Sequence, residues 1–126
     1  MRLRSIVPLF LLPLLASAHP QDRVVSGYYT VGWEEQSFTP CRGRPLPIGD
    51  RGVWWVSNPG PMMGVYRDLV EGDWGTIFVT VRADLTQPGQ FGHLGGYSRS
   101  MAVLEVMDAR RPAERRDDCS RTAQAE

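Results

Sequence analysis

Two histidines, two cysteines, four tryptophans and a scatter of carboxylates are the residues of this 126-residue chain that could do chemistry. Their spacing narrows what each can do. A chain cut after Ala18 begins at His19, where a free α-amine and an imidazole on one residue can chelate Cu(II), with His93 completing the site. Pro20 removes the amide that some N-terminal copper motifs use as a ligand. The simpler alternative puts His19 in a leader and has His93 fix a turn. Glu34 and Glu35 are adjacent, so in a strand they point to opposite faces and cannot serve one substrate as acid and base without a bulge. A carboxylate pair with Asp50, Asp73, Asp84 or Glu105 depends on a proximity that spacing does not supply. Ser26, Ser37, Ser57, Ser98 and Ser100 lie in no nucleophile-elbow context. Cys41 would need a nearby histidine to act as a nucleophile. Gly92 to Gly96 lacks the lysine and the strand-to-helix setting of a phosphate loop. No catalytic set emerges, no cofactor is implied, and the expectation is a non-enzymatic protein.

Cys41 and Cys119 have no CxxC partner spacing, which excludes a zinc knuckle or a thioredoxin-like motif. Two readings remain open. In an oxidising compartment the pair can close a disulfide, which by chain entropy would stabilise the fold by about 4 kcal/mol. Otherwise Cys41 is a buried thiol and Cys119 hangs on a polar tail. The aromatic set is the most suggestive. Trp54 and Trp55 are adjacent, so in a strand one ring enters the core and the other, taken as Trp55, faces outward. That outer ring is either covered by a helix or exposed as a binding platform. Trp33, Trp55, His93 and Tyr97 are therefore the candidate ligand-binding residues, set against the plainer reading that they pack the core.

The elements that must position these residues follow from pattern. Residues 1–18 carry a basic start (Arg2, Arg4), an apolar stretch from Ile6 to Leu15 and a small-residue end at Ala16-Ser17-Ala18, the order of a cleavable signal peptide. The stretch is shorter than the roughly 20 residues a membrane helix needs. Residues 19–23 are expected to be a flexible leader. Val24 to Thr39 alternates β-branched and aromatic side chains as one long strand or a bent pair, with Gly27 and Gly32 as points of bending. Pro40 ends it, and Arg42 to Gly52 is a loop. Val53 to Val56 is a short apolar strand, halted by Asn58-Pro59-Gly60-Pro61. Met62 to Glu71 places Met63, Tyr66 and Val70 on one helical face. Thr76 to Ala83 is the clearest strand, Gln87 to Tyr97 a glycine-rich excursion, and Arg99 to Ala109 the last strand. Residues 111–126 show no apolar pattern and are expected to be a disordered polar tail.

Runs of strands with one short helix imply a mainly β fold over residues 24–110: a small OB-like, partly closed β-barrel with that helix at one end. The ordered motifs Ser37-Phe38-Thr39-Pro40-Cys41, Trp54-Trp55-Val56 and Gly92-His93-Leu94-Gly95-Gly96-Tyr97 also resemble a group of small exported bacterial OB-like domains of uncharacterised role. The resemblance covers about Val24 to Arg110 and implies the fold rather than an activity. It does not extend to Cys119. The chain balances 14 basic residues, all arginine, against 14 acidic ones. Without a clustered basic face it offers no footprint for nucleic acid, and no segment is suited to stable membrane insertion. The function expected is an exported binding or accessory module, periplasmic or secreted, meeting a peptide, a glycan or an envelope protein. The alternative is a copper binder using His19 and His93.

Overall fold

The computed structural model describes residues 20–43 and 45–125, and the side chains of all these but the last three. The signal-peptide and His19 expectations fall outside them. Strand β1 spans Gln21–Gly32 and β2 Glu35–Pro40, so the long aromatic segment is a hairpin with Trp33-Glu34 as its turn. Strand β3 is Trp54–Asn58, helix α1 Met62–Leu69, strand β4 Gly75–Leu85, strand β5 Ser100–Arg110 and helix α2 Asp118–Ala125. The five strands close in a ring in the order β1-β2-β3-β5-β4, with β4 pairing back onto β1. All pairs are antiparallel except β3 with β5. The β1–β4 seam runs from Gln21↔Leu85 to Val31↔Gly75, whereas β2 meets β3 only at Ser37↔Trp55 and Phe38↔Trp54. This is the expected small OB-like, partly closed barrel, with α1 between β3 and β4.

Alternation explains the core. Tyr29 of β1, Phe38 of β2, Trp54 and Val56 of β3, and Ile77, Val79, Val81, Ala83 and Leu85 of β4 point inward and are buried. Burying a large apolar side chain is worth roughly 1.5–3 kcal/mol, so this set supplies the driving force for closure. Helix α1 adds Met62 and Tyr66, whose ring meets Tyr29 edge-on at 5.5 Å. Gly27 permits the tight β1–β2 crossing: a Cβ there would lie 2.3 Å from the Thr39 carbonyl oxygen and 2.8 Å from the Phe38 ring.

Two expectations change. Residues 21–23 are not a loose leader but the first rungs of β1, held by β4 at Leu85, Asp84 and Ala83. The C-terminal residues are not a disordered tail. Cys119 is bonded to Cys41, Cα to Cα 5.4 Å, and α2 sits on β1. The side chain of Asp118, 1 % exposed, accepts hydrogen bonds from the Tyr28 hydroxyl (2.9 Å), Arg110 Nε (3.2 Å) and the Ala113 amide (3.1 Å). The segment has no apolar periodicity because it is held by one covalent bond and one buried carboxylate. Two of the groups that bond Asp118 also pack on Phe78, on the outer face of β4: Tyr28 edge-on at 5.2 Å and the Arg110 guanidinium at 4.9 Å.

Candidate functional site

The candidate site is the rim around the β1–β2 turn, assembled by three loops. The turn itself places Trp33 at 77 % exposure, and Glu34 adopts φ 51, in the left-handed region. A non-glycine residue there costs about 1 kcal/mol, and such strain concentrates at working surfaces. Register brings in the second loop. Because Val31 pairs with Gly75, the residue before β4, Trp74, stands beside the turn. Its ring, 60 % exposed, meets Trp33 edge-on with centroids 6.5 Å apart. Trp74 was not among the residues the sequence singled out. Its signal was an aromatic residue inside a polar Glu71-Gly72-Asp73 turn, where no core position calls for one.

The third loop is the glycine-rich β4–β5 connection. It closes on itself through Gly89 N–H to Ser98 O (2.9 Å) and reciprocal amide bonds between Phe91 and Tyr97 (2.9 and 3.2 Å). Its tip, His93–Gly95, is a single 3₁₀ turn with Leu94 at φ 55 and 92 % exposed. Gly92, at φ 67, lies flat on the Trp55 indole, where a Cβ would come within 2.5 Å of the ring. Tyr97 approaches the same indole at 5.2 Å. Trp55 does face outward while Trp54 enters the core, but neither a helix nor solvent covers its ring: the glycine-rich loop does. His93 Nε2 sits 3.4 Å from Glu34 Oε2 and links this loop to the β1–β2 turn. Burial, and then the Glu35 carboxylate, raise the Tyr97 pKa.

Of the four residues proposed for ligand contact, Trp55, His93 and Tyr97 thus share one loop cluster. Trp33 joins them through its neighbour Glu34 and turns its own ring to Trp74. Trp33 and Trp74 carry the open aromatic surface, while Trp55 and Tyr97 support the loop beside it. The copper reading keeps only His93 within the described residues, and its partner there is Glu34. Among the described residues no group of three or more His, Cys, Asp or Glu side chains is arranged to hold a metal ion.

At the other end of the β1–β2 hairpin lies a second cluster that sequence reasoning missed as a unit. Asp50 Oδ2 accepts a hydrogen bond from Arg99 Nε at 2.6 Å, with side-chain exposures of 1 % and 6 %. Its Oδ1 accepts from the Trp54 indole N–H (3.0 Å), the Gly52 amide (2.9 Å) and the Ser98 hydroxyl (3.0 Å). Arg99 also donates to the Thr86 carbonyl at 2.8 Å. Burial pushes the Asp50 pKa up, but the bonds from Arg99, Gly52, Trp54 and Ser98 outweigh it and hold the carboxyl below its ordinary range. With its oxygens so engaged, Asp50 is an anchor for the β2–β3 loop and the start of β5, not a free base. Glu35 is likewise engaged, accepting from the Ser37 hydroxyl at 2.7 Å.

Comparison of the chain with protein-family models, with curated proteins and with solved structures finds no match.

Proposed function

We propose that the protein is an exported, non-enzymatic binding or accessory module that meets a peptide, a glycan or an envelope protein through the aromatic rim of its OB-like barrel. The observation that carries this reading is the Trp33–Trp74 pair. Two indoles stand largely in water, in edge contact with each other, at the tip of a hairpin whose other end is held by the disulfide. Leaving a large aromatic ring exposed forgoes roughly 2 kcal/mol of burial. Rigid exposed aromatics with a polar edge suit recognition, since they lose little conformational freedom on contact. The neighbouring Glu34 and Asp73 carboxylates supply acceptors for hydroxyl or amide donors on a ligand. Export is supported by the leader pattern of residues 1–18 and by the Cys41–Cys119 bridge, which belongs to an oxidising compartment. Among the described residues no helix is long and apolar enough to cross a membrane.

The test is a titration of the protein with oligosaccharides and with peptides, following the indole N–H resonances. Shifts confined to Trp33 and Trp74, abolished in a Trp33→Ala/Trp74→Ala protein of unchanged thermal midpoint, support the reading. Turnover of an ester, glycoside or peptide substrate that a single point change removes would overturn it.

A further inference from the structure

The barrel end opposite the aromatic rim carries a cleft of about 770 Å³, bounded by the first half of β1, the β2–β3 loop and the first turn of α2. That volume lies within the range of about 300–1,000 Å³ of small-molecule sites. Its walls mix apolar and polar groups. Val24, on the outer face of β1, is 56 % exposed, and Leu46, Pro47 and the Cys41–Cys119 bridge face the same space, with Trp54 at its base.

The charges in this lining do not balance. Among the described residues of the lining, Arg23, Arg42 and Arg99 contribute three positive charges and Asp50 one negative, a surplus of two in a chain whose formal net charge is zero. Arg99 and Asp50 neutralise each other at 2.6 Å, and the remaining acceptor positions of Asp50 are filled as described above. The surplus is therefore that of Arg23 and Arg42. Neither forms an ion pair among the described residues, and the one side-chain hydrogen bond of Arg23 goes to the neutral amide of Gln21. Two guanidiniums without carboxylate partners among the described residues, beside the apolar part of the cleft, match a ligand that is negative at one point and apolar over the rest of its length.

We propose that this cleft binds a small anionic amphiphile, its carboxylate or sulfonate head held by Arg23 and Arg42 and its apolar body laid along Leu46, Pro47 and the disulfide. The proposal is independent of the rim reading, because it uses none of the rim residues. It also gives the disulfide a second consequence. Cys119 belongs to the wall, so reducing the bridge leaves that wall held by the Asp118 hydrogen bonds alone.

The experiment uses the oxidised, processed protein and 8-anilinonaphthalene-1-sulfonate as a fluorescent probe, competed with decanoate, decanol and tetraglutamate. Saturable probe binding is expected, displaced by decanoate at least tenfold more effectively than by decanol or tetraglutamate. Arg23→Gln and Arg42→Gln should each weaken the probe about three- to fivefold, a range suited to partly exposed charge pairs. Both variants should keep the parent thermal midpoint, and Trp33→Ala/Trp74→Ala should bind the probe as the parent does. Displacement by decanol as good as by decanoate would reduce the cleft to a greasy surface. Preferential displacement by tetraglutamate would make it an acidic-peptide site. Either outcome, absent saturable binding, or unchanged affinity in both the Arg23→Gln and the Arg42→Gln protein, overturns the proposal.

Discussion

The two ends of the β1–β2 hairpin are built on opposite principles. Around Asp50, at the Cys41 end, every oxygen of a buried carboxylate is matched with a donor, and a disulfide fastens the next segment of chain. Around Trp33, at the turn, two large rings stand in water and Glu34 holds a strained backbone angle. The first arrangement lowers the free energy of the fold. The second forgoes burial and accepts strain, which a small domain with little surplus stability tolerates only because the other end is so well tied. Tight satisfaction and open aromatic surface thus lie at different ends of one hairpin, and the proposed recognition surface is the open one.

The largest effect should come from breaking the buried pair. Asp50→Ala leaves Arg99 charged at 6 % exposure with no carboxylate and only the Thr86 carbonyl as acceptor, and we expect a loss of about 3–5 kcal/mol, measured by urea unfolding. A loss below 1 kcal/mol would mean that the tied end is not what holds the barrel. Next comes the Cys41→Ser/Cys119→Ser protein, expected to lose about 2–4 kcal/mol. Amide exchange in α2 should then accelerate while β4 keeps its protection; uniform acceleration would make the bridge part of the core instead.

Acid should act on the same end. Asp50 and Asp118 are both held below the ordinary carboxylate pKa. For each, burial is the largest influence and raises the value, but the hydrogen bonds to the carboxylate together outweigh it. A group depressed in the folded state contributes stability that is full above its unfolded pKa, near 3.9. That contribution is lost as pH falls below about 4 and on through the folded values. The unfolding free energy should therefore drop steeply below pH 4, and the Asp50→Ala protein should show a shallower acid limb than the parent.

Gly92→Ala probes the loop between the two principles. The new methyl meets the Trp55 ring at φ 67, so about 1–2 kcal/mol should be lost and iodide should quench more of the Trp55 emission. Smallest of all is Trp33→Ala, for which the expected stability change is within about 0.5 kcal/mol. A loss above 1.5 kcal/mol would show that the ring is part of the fold, and would erase the contrast between the ends.

Much of the scaffold was legible because its signals are local. Alternation along Thr76 to Ala83, proline and glycine at the ends of the short apolar strand, and helical spacing from Met62 each reflect the geometry of a few neighbouring residues. The outward direction of one of Trp54 and Trp55 follows from the same two-residue period. The candidate site was legible in part. Trp33, Trp55, His93 and Tyr97 were found because exposed-strand aromatics and glycine-rich turns leave a local mark, whereas Trp74 leaves one only after β4 is placed beside β1.

What tertiary structure alone decided are the pairings between distant residues. The β1–β4 register sets Trp33 against Trp74, and ring closure gathers Asp50, Trp54, Ser98 and Arg99 around one carboxylate. The Cys41–Cys119 bridge and the Asp118 network turn a segment without any apolar pattern into an ordered helix and a cleft wall. The reason is common to all three. Local sequence determines which face a side chain takes on its own element, but the free energy of a buried charge, a bridge or an aromatic contact depends on the partner that closure of the ring brings to that face.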